Sequence, residues 1–265
     1  MPKSGLSRYL ELFKNVANPA EYLSNKVVRK KRPLTIVTKP NAVEFKVSPS
    51  LYLVFKEIFM VDVYNIDYLI SLLPSSPTVI DIGANAGFFD ILLLSKLKDS
   101  KIYAYEPVPS NVLYIESLLK ENNWIRSQVK LFPKAVTGAD SGGLELFMED
   151  TADNQVVASV FNGFNVNNTK KIKVESITLT QIINDIGSKT IDLLKMDCEG
   201  SEYDIVYNTP KELFERITNL FIEVHDIDKE KNNIQYFDSY IKSMGYKTTY
   251  SPINDFCWAF EGVKS

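Results

Sequence analysis

The chain is poor in the residues that build metal and disulfide scaffolds. Among 265 residues there is one histidine, His225, and there are two cysteines, Cys198 and Cys257. Two distant cysteines make neither the paired spacing of a zinc site nor a disulfide framework. Both read as small buried hydrophobes in a reducing compartment, so a cytoplasmic location is expected. No apolar run approaches the ~20 residues of a membrane span. The N-terminus has Lys3 and Arg8 but then an amphipathic pattern, without a signal-peptide core or a small-residue cleavage site. Positive charge is not in excess: 30 Lys and Arg stand against 33 Asp and Glu, a net charge of −3. That balance argues against a general nucleic-acid binder, whose footprint is basic. What is abundant is apolar content, at 45%. It suffices for the core of one α/β domain with a modest extension.

The chain is organised around Thr78-Val79-Ile80-Asp81-Ile82-Gly83-Ala84-Asn85-Ala86-Gly87-Phe88-Phe89. An apolar, mostly β-branched run ends near an acid, passes two glycines and enters a helical pattern. This is the layout of a strand, a tight turn and a helix in an open α/β fold. Gly83 can take a positive φ and lets a ligand approach the backbone. Gly87 would open the helix, where free N–H groups attract polar ligands.

Upstream, Leu6, Tyr9, Leu10, Phe13, Val16 and Ala17 recur at helical spacing over residues 5–17. The apolar face should pack on the main domain or a second subunit. Arg29-Lys30-Lys31-Arg32 is a solvated linker or a docking patch for a phosphate-bearing substrate. Strands are expected at 34–38 and 42–47, then one or two helices over 51–72. The breaker Pro74-Ser75-Ser76-Pro77 suggests a boundary: 1–74 an N-terminal extension, 75–265 the ligand-binding domain.

From Thr78 strands and helices alternate, which implies a mostly parallel sheet. Strands are expected at 78–82, 102–105, 129–133, 191–196 and 219–224, with helices at 87–97, 109–122, 179–186 and 233–244. Residues 171–177 read as one strand, and 149–170 as a long polar loop. Two closing strands, 246–250 and 256–261, are joined closely enough to form an antiparallel edge hairpin.

The second strand ends at Glu106-Pro107, about twenty residues past the glycine turn, where nucleotide-binding folds hold ribose hydroxyls on an acid. A dinucleotide turn follows G-x-G-x-x-G. Here Asn85 and Phe88 stand where the second and third glycines belong, and Asp81 would repel a pyrophosphate while welcoming a cation. S-adenosylmethionine, with an ammonium and a sulfonium beside its adenosine, suits these residues better than NAD.

Asp81-Ile82-Gly83-Ala84-Asn85-Ala86-Gly87, Tyr105-Glu106-Pro107, Lys195-Met196-Asp197-Cys198-Glu199-Gly200-Ser201-Glu202 and Ile222-Glu223-Val224-His225 together resemble the four signature blocks of the FkbM family of methyltransferases. The resemblance spans roughly residues 55–250. It implies an α/β fold of the class I methyltransferase type, a Rossmann-like sandwich with a mostly parallel seven-stranded sheet. It also implies O-methylation of a hydroxyl on a small molecule, natural product or sugar, with S-adenosyl-L-methionine as methyl donor. Cys198 departs from the apolar residue the family commonly carries. The cofactor residues are then Asp81, Gly83, Ala84, Asn85, Gly87, Glu106, Pro107 and Asp197.

For chemistry, His225 ends a strand on the ligand edge and can take a proton from an alcohol near its ordinary pKa of ~6.5. Asp226 beside it would shift that value. Asp197 and Glu199 follow the central strand and are the other candidate catalytic groups, whereas Glu202 reads as a helix N-terminal acid. No metal is expected, although Asp197, Glu223 and Asp226 could supply oxygen ligands to magnesium. The rival readings are a non-catalytic cofactor-binding module and an NAD-dependent oxidoreductase. The acceptor and the oligomeric state are not legible.

Overall fold

The computed structural model describes residues 3–28, 32–140, 142–150, 159 and 167–264. Arg29, Lys30 and Lys31 of the basic run, and most of the expected 149–170 loop, lie outside the described residues. The N-terminal segment opens with helices α1 (Ser7–Asn15) and α2 (Pro19–Val28) and the antiparallel hairpin β1 (Leu34–Val37) and β2 (Glu44–Val47). Helix α3 (Tyr52–Lys56) widens into a π-helical turn at Glu57–Val61, and α4 (Ile66–Leu72) follows. Helix α1 buries Leu12 but leaves Leu6, Leu10 and Phe13 exposed. Its expected apolar face is therefore only partly packed: helical spacing marks a stripe but not its partner.

Strand β3 (Thr78–Ile82) enters helix α5 (Phe88–Lys96), and β4 (Lys101–Tyr105) is followed by α6 (Pro109–Glu121), α7 (Asn123–Arg126) and β5 (Val129–Phe132). Short strands β6 (Ala135–Thr137), β7 (Leu144–Met148), β8 (Lys170–Val174) and β9 (Ser176–Thr178) come next. The expected single strand over 171–177 is in fact two: β8 pairs antiparallel with β7, and β9 pairs parallel with β6. Ile172 and Val174 alternate but Ile177 is out of phase with them, so the sequence carries a mark of the break near Glu175 but none of the change of partner. Helix α8 (Leu179–Ile186) begins with a capping box between Thr178 and Gln181. Strand β10 (Leu193–Met196), helix α9 (Glu202–Asn208), strand β11 (Asn219–His225), helix α10 (Ile234–Lys242) and the hairpin β12 (Tyr246–Pro252) and β13 (Cys257–Lys264) complete the chain.

Among the described residues the main sheet has seven strands in the order β12-β13-β11-β10-β3-β4-β5. Strands β11, β10, β3, β4 and β5 run parallel, and β13 pairs antiparallel with both β11 and β12. This is the class I methyltransferase sheet, with the expected antiparallel hairpin at one edge. β10 and β3 are central, which explains why Leu193–Met196 is buried throughout.

Helix α5 is covered on all sides, with Phe88 to Ser95 all buried. One side meets the sheet; the other meets the N-terminal segment, where Phe45 and Phe59 lie 5.1 and 6.2 Å from the Phe88 ring. The N-terminal elements thus share one core with the sheet. Fully burying each such ring contributes ~1.5–3 kcal/mol.

Candidate active site

Four strand ends converge on the carboxyl edge of the sheet, the edge where open α/β folds bind ligands. They carry Gly83, Glu106, Asp197 to Gly200, and His225. At the first, Gly83 has φ +77° and Asn85 φ +52°. The Gly83 and Ala84 N–H groups donate to the Tyr105 carbonyl at 3.0 and 3.1 Å. A Cβ on Gly83 would run into the Asp197 carbonyl oxygen, so only glycine allows the β3 and β10 loops to meet.

Beneath this turn lies a buried charged cluster. Asp81, with no exposed surface, is ion-paired at 2.9 Å with Lys195, which also donates to the Gly83 carbonyl at 2.9 Å. The Lys195 ammonium lies 5.6 and 5.8 Å from the Tyr64 and Phe89 ring centroids. Burial holds the Asp90 carboxyl well above the usual range, and the neighbouring Asp81 charge adds to this. The cation that Asp81 meets in this structure is Lys195, which also lines the larger of the two cavities described next.

Two cavities flank the turn. A narrow slot of about 80 Å³ includes Tyr105, Glu106, Pro107 and Val136 in its lining. Glu106 there accepts the Asn85 and Val108 N–H groups at 2.8 and 2.9 Å. Burial nevertheless pushes its pKa up to about 7. A larger cavity of about 660 Å³ includes Ala84, Glu57, Tyr64, Glu223 and His225. Gly83, Asn85, Asp197 and Glu199 border both. Of the residues proposed from sequence, Asp81 and Gly87 line neither cavity; Gly87, at φ +69°, opens α5.

His225 is clamped between two carboxylates. Its Nδ1 lies 3.2 Å from Glu202 and its Nε2 3.4 Å from Glu199. Glu202 has no exposed surface and also accepts from the Gly200 N–H at 3.1 Å. Its sequence reading as a helix-end acid missed this, because the partner is a strand away. Asp226, expected to influence His225, instead accepts from the Trp258 indole at 2.9 Å and the Ile234 N–H at 2.8 Å. Asp226 is thus turned away from the Asp197 and Glu223 with which a magnesium site was considered. The groupings that converge are Asp197, Glu199 and His225, and Glu223, His225 and Cys257, each with ligand atoms within 4.8 Å of one another. Glu199 itself has φ +51°, a strained conformation for a non-glycine residue that clusters at functional sites.

The family model of the methyltransferase FkbM domain matches residues 81–248. The chain belongs to the FkbM methyltransferase family. Methyltransferase sdnD of Sordaria araneosa is 26% identical to this FkbM chain over 193 residues, covering 64% of the chain and 73% of that protein. AMB antimetabolite synthetase AmbE of Pseudomonas aeruginosa is 22% identical over 204 residues, 65% of this chain; the match spans only 9% of that protein's length. Among solved structures, a methyltransferase FkbM from Methylobacillus flagellatus is 15% identical with a TM-score of 0.47, covering 80% of this chain and 54% of that one.

The buried carboxylates give this FkbM protein a pH-dependent stability. Burial is the first cause in each: Glu57 is raised to about 6, Glu106 to about 7, and Glu199 and Glu223 to about 8. Asp197 adds repulsion to Glu57, Glu199 and Glu223. All four bind protons more tightly folded than unfolded, so their contribution is complete below ~4.5 and is lost as pH rises through the folded values. Stability of the ligand-free protein should fall by ~2–4 kcal/mol between pH 5 and 8, lowering Tm by roughly 5–15 °C. Calorimetry across that range checks this, and Glu223→Gln should flatten the fall. A Tm that rises from pH 5 to 8 would contradict it.

Proposed function

We propose that this FkbM-family protein is an S-adenosylmethionine-dependent O-methyltransferase acting on a hydroxyl of a small molecule, natural product or sugar. One observation carries the reading: the slot at Glu106 and the larger cavity meet at Gly83, Asn85, Asp197 and Glu199. A cofactor in the slot and an acceptor in the larger cavity would come together at those residues. The cavity volume of about 660 Å³ falls in the range of small-molecule sites and supports a small acceptor over a nucleic acid. The two free thiols, Cys198 and Cys257, support a reducing compartment such as the cytoplasm.

The residues fit the cofactor. Glu106 Oε2 accepts only the Asn85 N–H and has lone-pair capacity left for a ribose hydroxyl, whereas Oε1 already accepts from the Val108 N–H and from Asn111. The missing Cβ at Gly83 lets the Asp197 loop close against the turn, so that both loops line the slot. When bound, the cofactor supplies an electrophilic methyl group on a positively charged sulfur. The chain holds the acceptor oxygen in line with it and receives the proton that leaves the hydroxyl.

We assign that proton to Glu199 and not to His225. Burial disfavours a charged ring, but the Glu202 carboxylate and the hydrogen bonds to Cys257 and Glu202 outweigh it and hold the His225 pKa well above its ordinary value. A ring already protonated accepts no proton. Glu199, at about 8, is poised near neutrality and borders both cavities. The imidazolium beside it favours the ionised form of Glu199 and so holds its pKa lower than burial alone would.

S-adenosylhomocysteine at about 100 times its Kd should stabilise the protein by ~2.7 kcal/mol and raise Tm by roughly 5–10 °C, and NAD should not. Glu106→Gln should reduce that shift, since the ribose bonds lose their charge assistance. Scanning fluorimetry reads both. An equal shift with NAD, or none with S-adenosylhomocysteine, would sink the assignment.

A further inference from the structure

The larger cavity is not enclosed by the family core. The family model starts at residue 81, whereas Arg8 of α1 and Lys56, Glu57, Val61 and Tyr64 also line this cavity. Two of those residues are cations. Arg8 is half-buried, its guanidinium 5.2 Å from the centroid of the Tyr9 ring, and its Nε is buried without a partner. Lys56 is half-buried at the end of α3. Among the described residues neither forms an ion pair with a carboxylate, whereas other cations such as Lys14, Arg32, Lys195 and Lys264 do. Exposed Leu53, three residues before Lys56 on α3, also lines the cavity, which places Lys56 toward the mouth.

Against the sheet, the same cavity is lined by Glu57, Asp197, Glu199 and Glu223 together with two cations, Lys195 and His225, each already held by carboxylates. The cations of this cavity without a carboxylate partner, Arg8 and Lys56, thus come from the N-terminal segment, whereas those at the strand ends are paired. Apolar groups, Val54, Ile58, Val61 and Val63 among them, complete the lining. An anionic group on a ligand would find its unpaired partners in Arg8 and Lys56. A guanidinium pairs with carboxylate, sulfonate or phosphate oxygens by strong charge-assisted bonds. A neutral ligand would leave the Arg8 Nε without a partner, which costs free energy in a buried position.

We propose that Arg8 and Lys56 form an anion subsite, and that the acceptor is an amphipathic hydroxy compound bearing an acidic group at the end remote from the methylated hydroxyl. This rests on the reading of the larger cavity as the acceptor site. It assigns substrate selection to the segment preceding the family core. The other anion that could use these cations is the carboxylate of the cofactor's methionyl end, and the test separates the two.

The full-length protein, saturated with S-adenosylhomocysteine, is titrated with 8-anilinonaphthalene-1-sulfonate and with N-phenyl-1-naphthylamine, the same apolar body without the sulfonate. The sulfonate should bind at least about tenfold tighter, and the double variant Arg8→Gln/Lys56→Gln should lose that preference. Binding of the neutral probe and the thermal shift with S-adenosylhomocysteine should stay unchanged in the variant. Equal binding of the two probes, no binding of the sulfonate, or a preference that survives the double substitution overturns the subsite. A variant that loses S-adenosylhomocysteine instead assigns the cations to the cofactor and overturns it too. Failure of the unsubstituted protein to bind S-adenosylhomocysteine defeats the methyltransferase reading separately, and the probe pair still reads the anion site.

Discussion

Replacing Glu199 by glutamine should lower kcat by ~10²–10⁴ while leaving the affinity for S-adenosylhomocysteine within about threefold. The amide keeps the size and the polar contact but cannot accept a proton from an alcohol. The loss therefore falls on the transition state and not on binding. In the unsubstituted enzyme kcat/KM should rise with pH and level off above about 8, following ionisation of Glu199. The His225 charge lowers the Glu199 pKa, so His225→Asn should move the rise to higher pH. Were His225 the base, the profile would rise near ~6.5 instead, and His225→Asn would flatten it. Rate profiles of the three proteins decide between these outcomes. Near-normal turnover in Glu199→Gln would exclude it as the base.

Gly83→Ala should be the most damaging single-methyl change in the turn. The added carbon would overlap the Asp197 carbonyl oxygen, and the backbone there has φ +77°. Left-handed φ costs an L-residue ~1–2 kcal/mol, and overpacking adds a further ~1–3 kcal/mol. The strain can be relieved only by parting the β3 and β10 loops, which carry the residues common to both cavities. We expect a loss of ~3 kcal/mol or more by denaturant unfolding, and S-adenosylhomocysteine affinity weakened at least about a hundredfold. Gly187→Ala is the control: φ is +65° there too, but no atom lies within 4 Å of the added carbon. It should cost only ~1–2 kcal/mol and leave ligand affinity unchanged. Equal effects at the two glycines would show that backbone conformation alone, and not the close approach of the loops, accounts for Gly83.

Much of the architecture was legible because its signals are local. The β-branched run before Gly83, the capping residues Thr178 and Gln181, and the apolar periods after Thr78 each mark an element within a few residues of themselves. Alternation of strand and helix then leaves few topologies. Even the edge hairpin followed from the short connection at 251–255. The break between β8 and β9 leaves a phase shift from Ile172 and Val174 to Ile177, but the exchange of partners was not legible, because a strand's pattern shows which face is buried and not which neighbour it pairs with.

The site divided along the same line. Which residues stand at strand ends could be counted from the sequence, and Gly83, Glu106, Asp197, Glu199 and His225 all came from that count. Their protonation could not. His225 was expected to respond to its neighbour Asp226, but side chains alternate along an extended chain, and Asp226 is bound to Trp258 and to the start of α10. The groups that set the charge of His225, Glu202 and Cys257, arrive from α9 and from β13. Likewise Asp81 was recognisable as an acid at a strand end, but its pairing with Lys195 depends on the register of β3 against β10, in which those two residues lie side by side. By itself the sequence determined the order of elements, the family and the strand-end residues, because these depend on spacing along the chain. Only the tertiary structure decided which carboxylates face one another, which cations remain unpaired and where two cavities meet, because charge interactions act through space between residues remote in sequence.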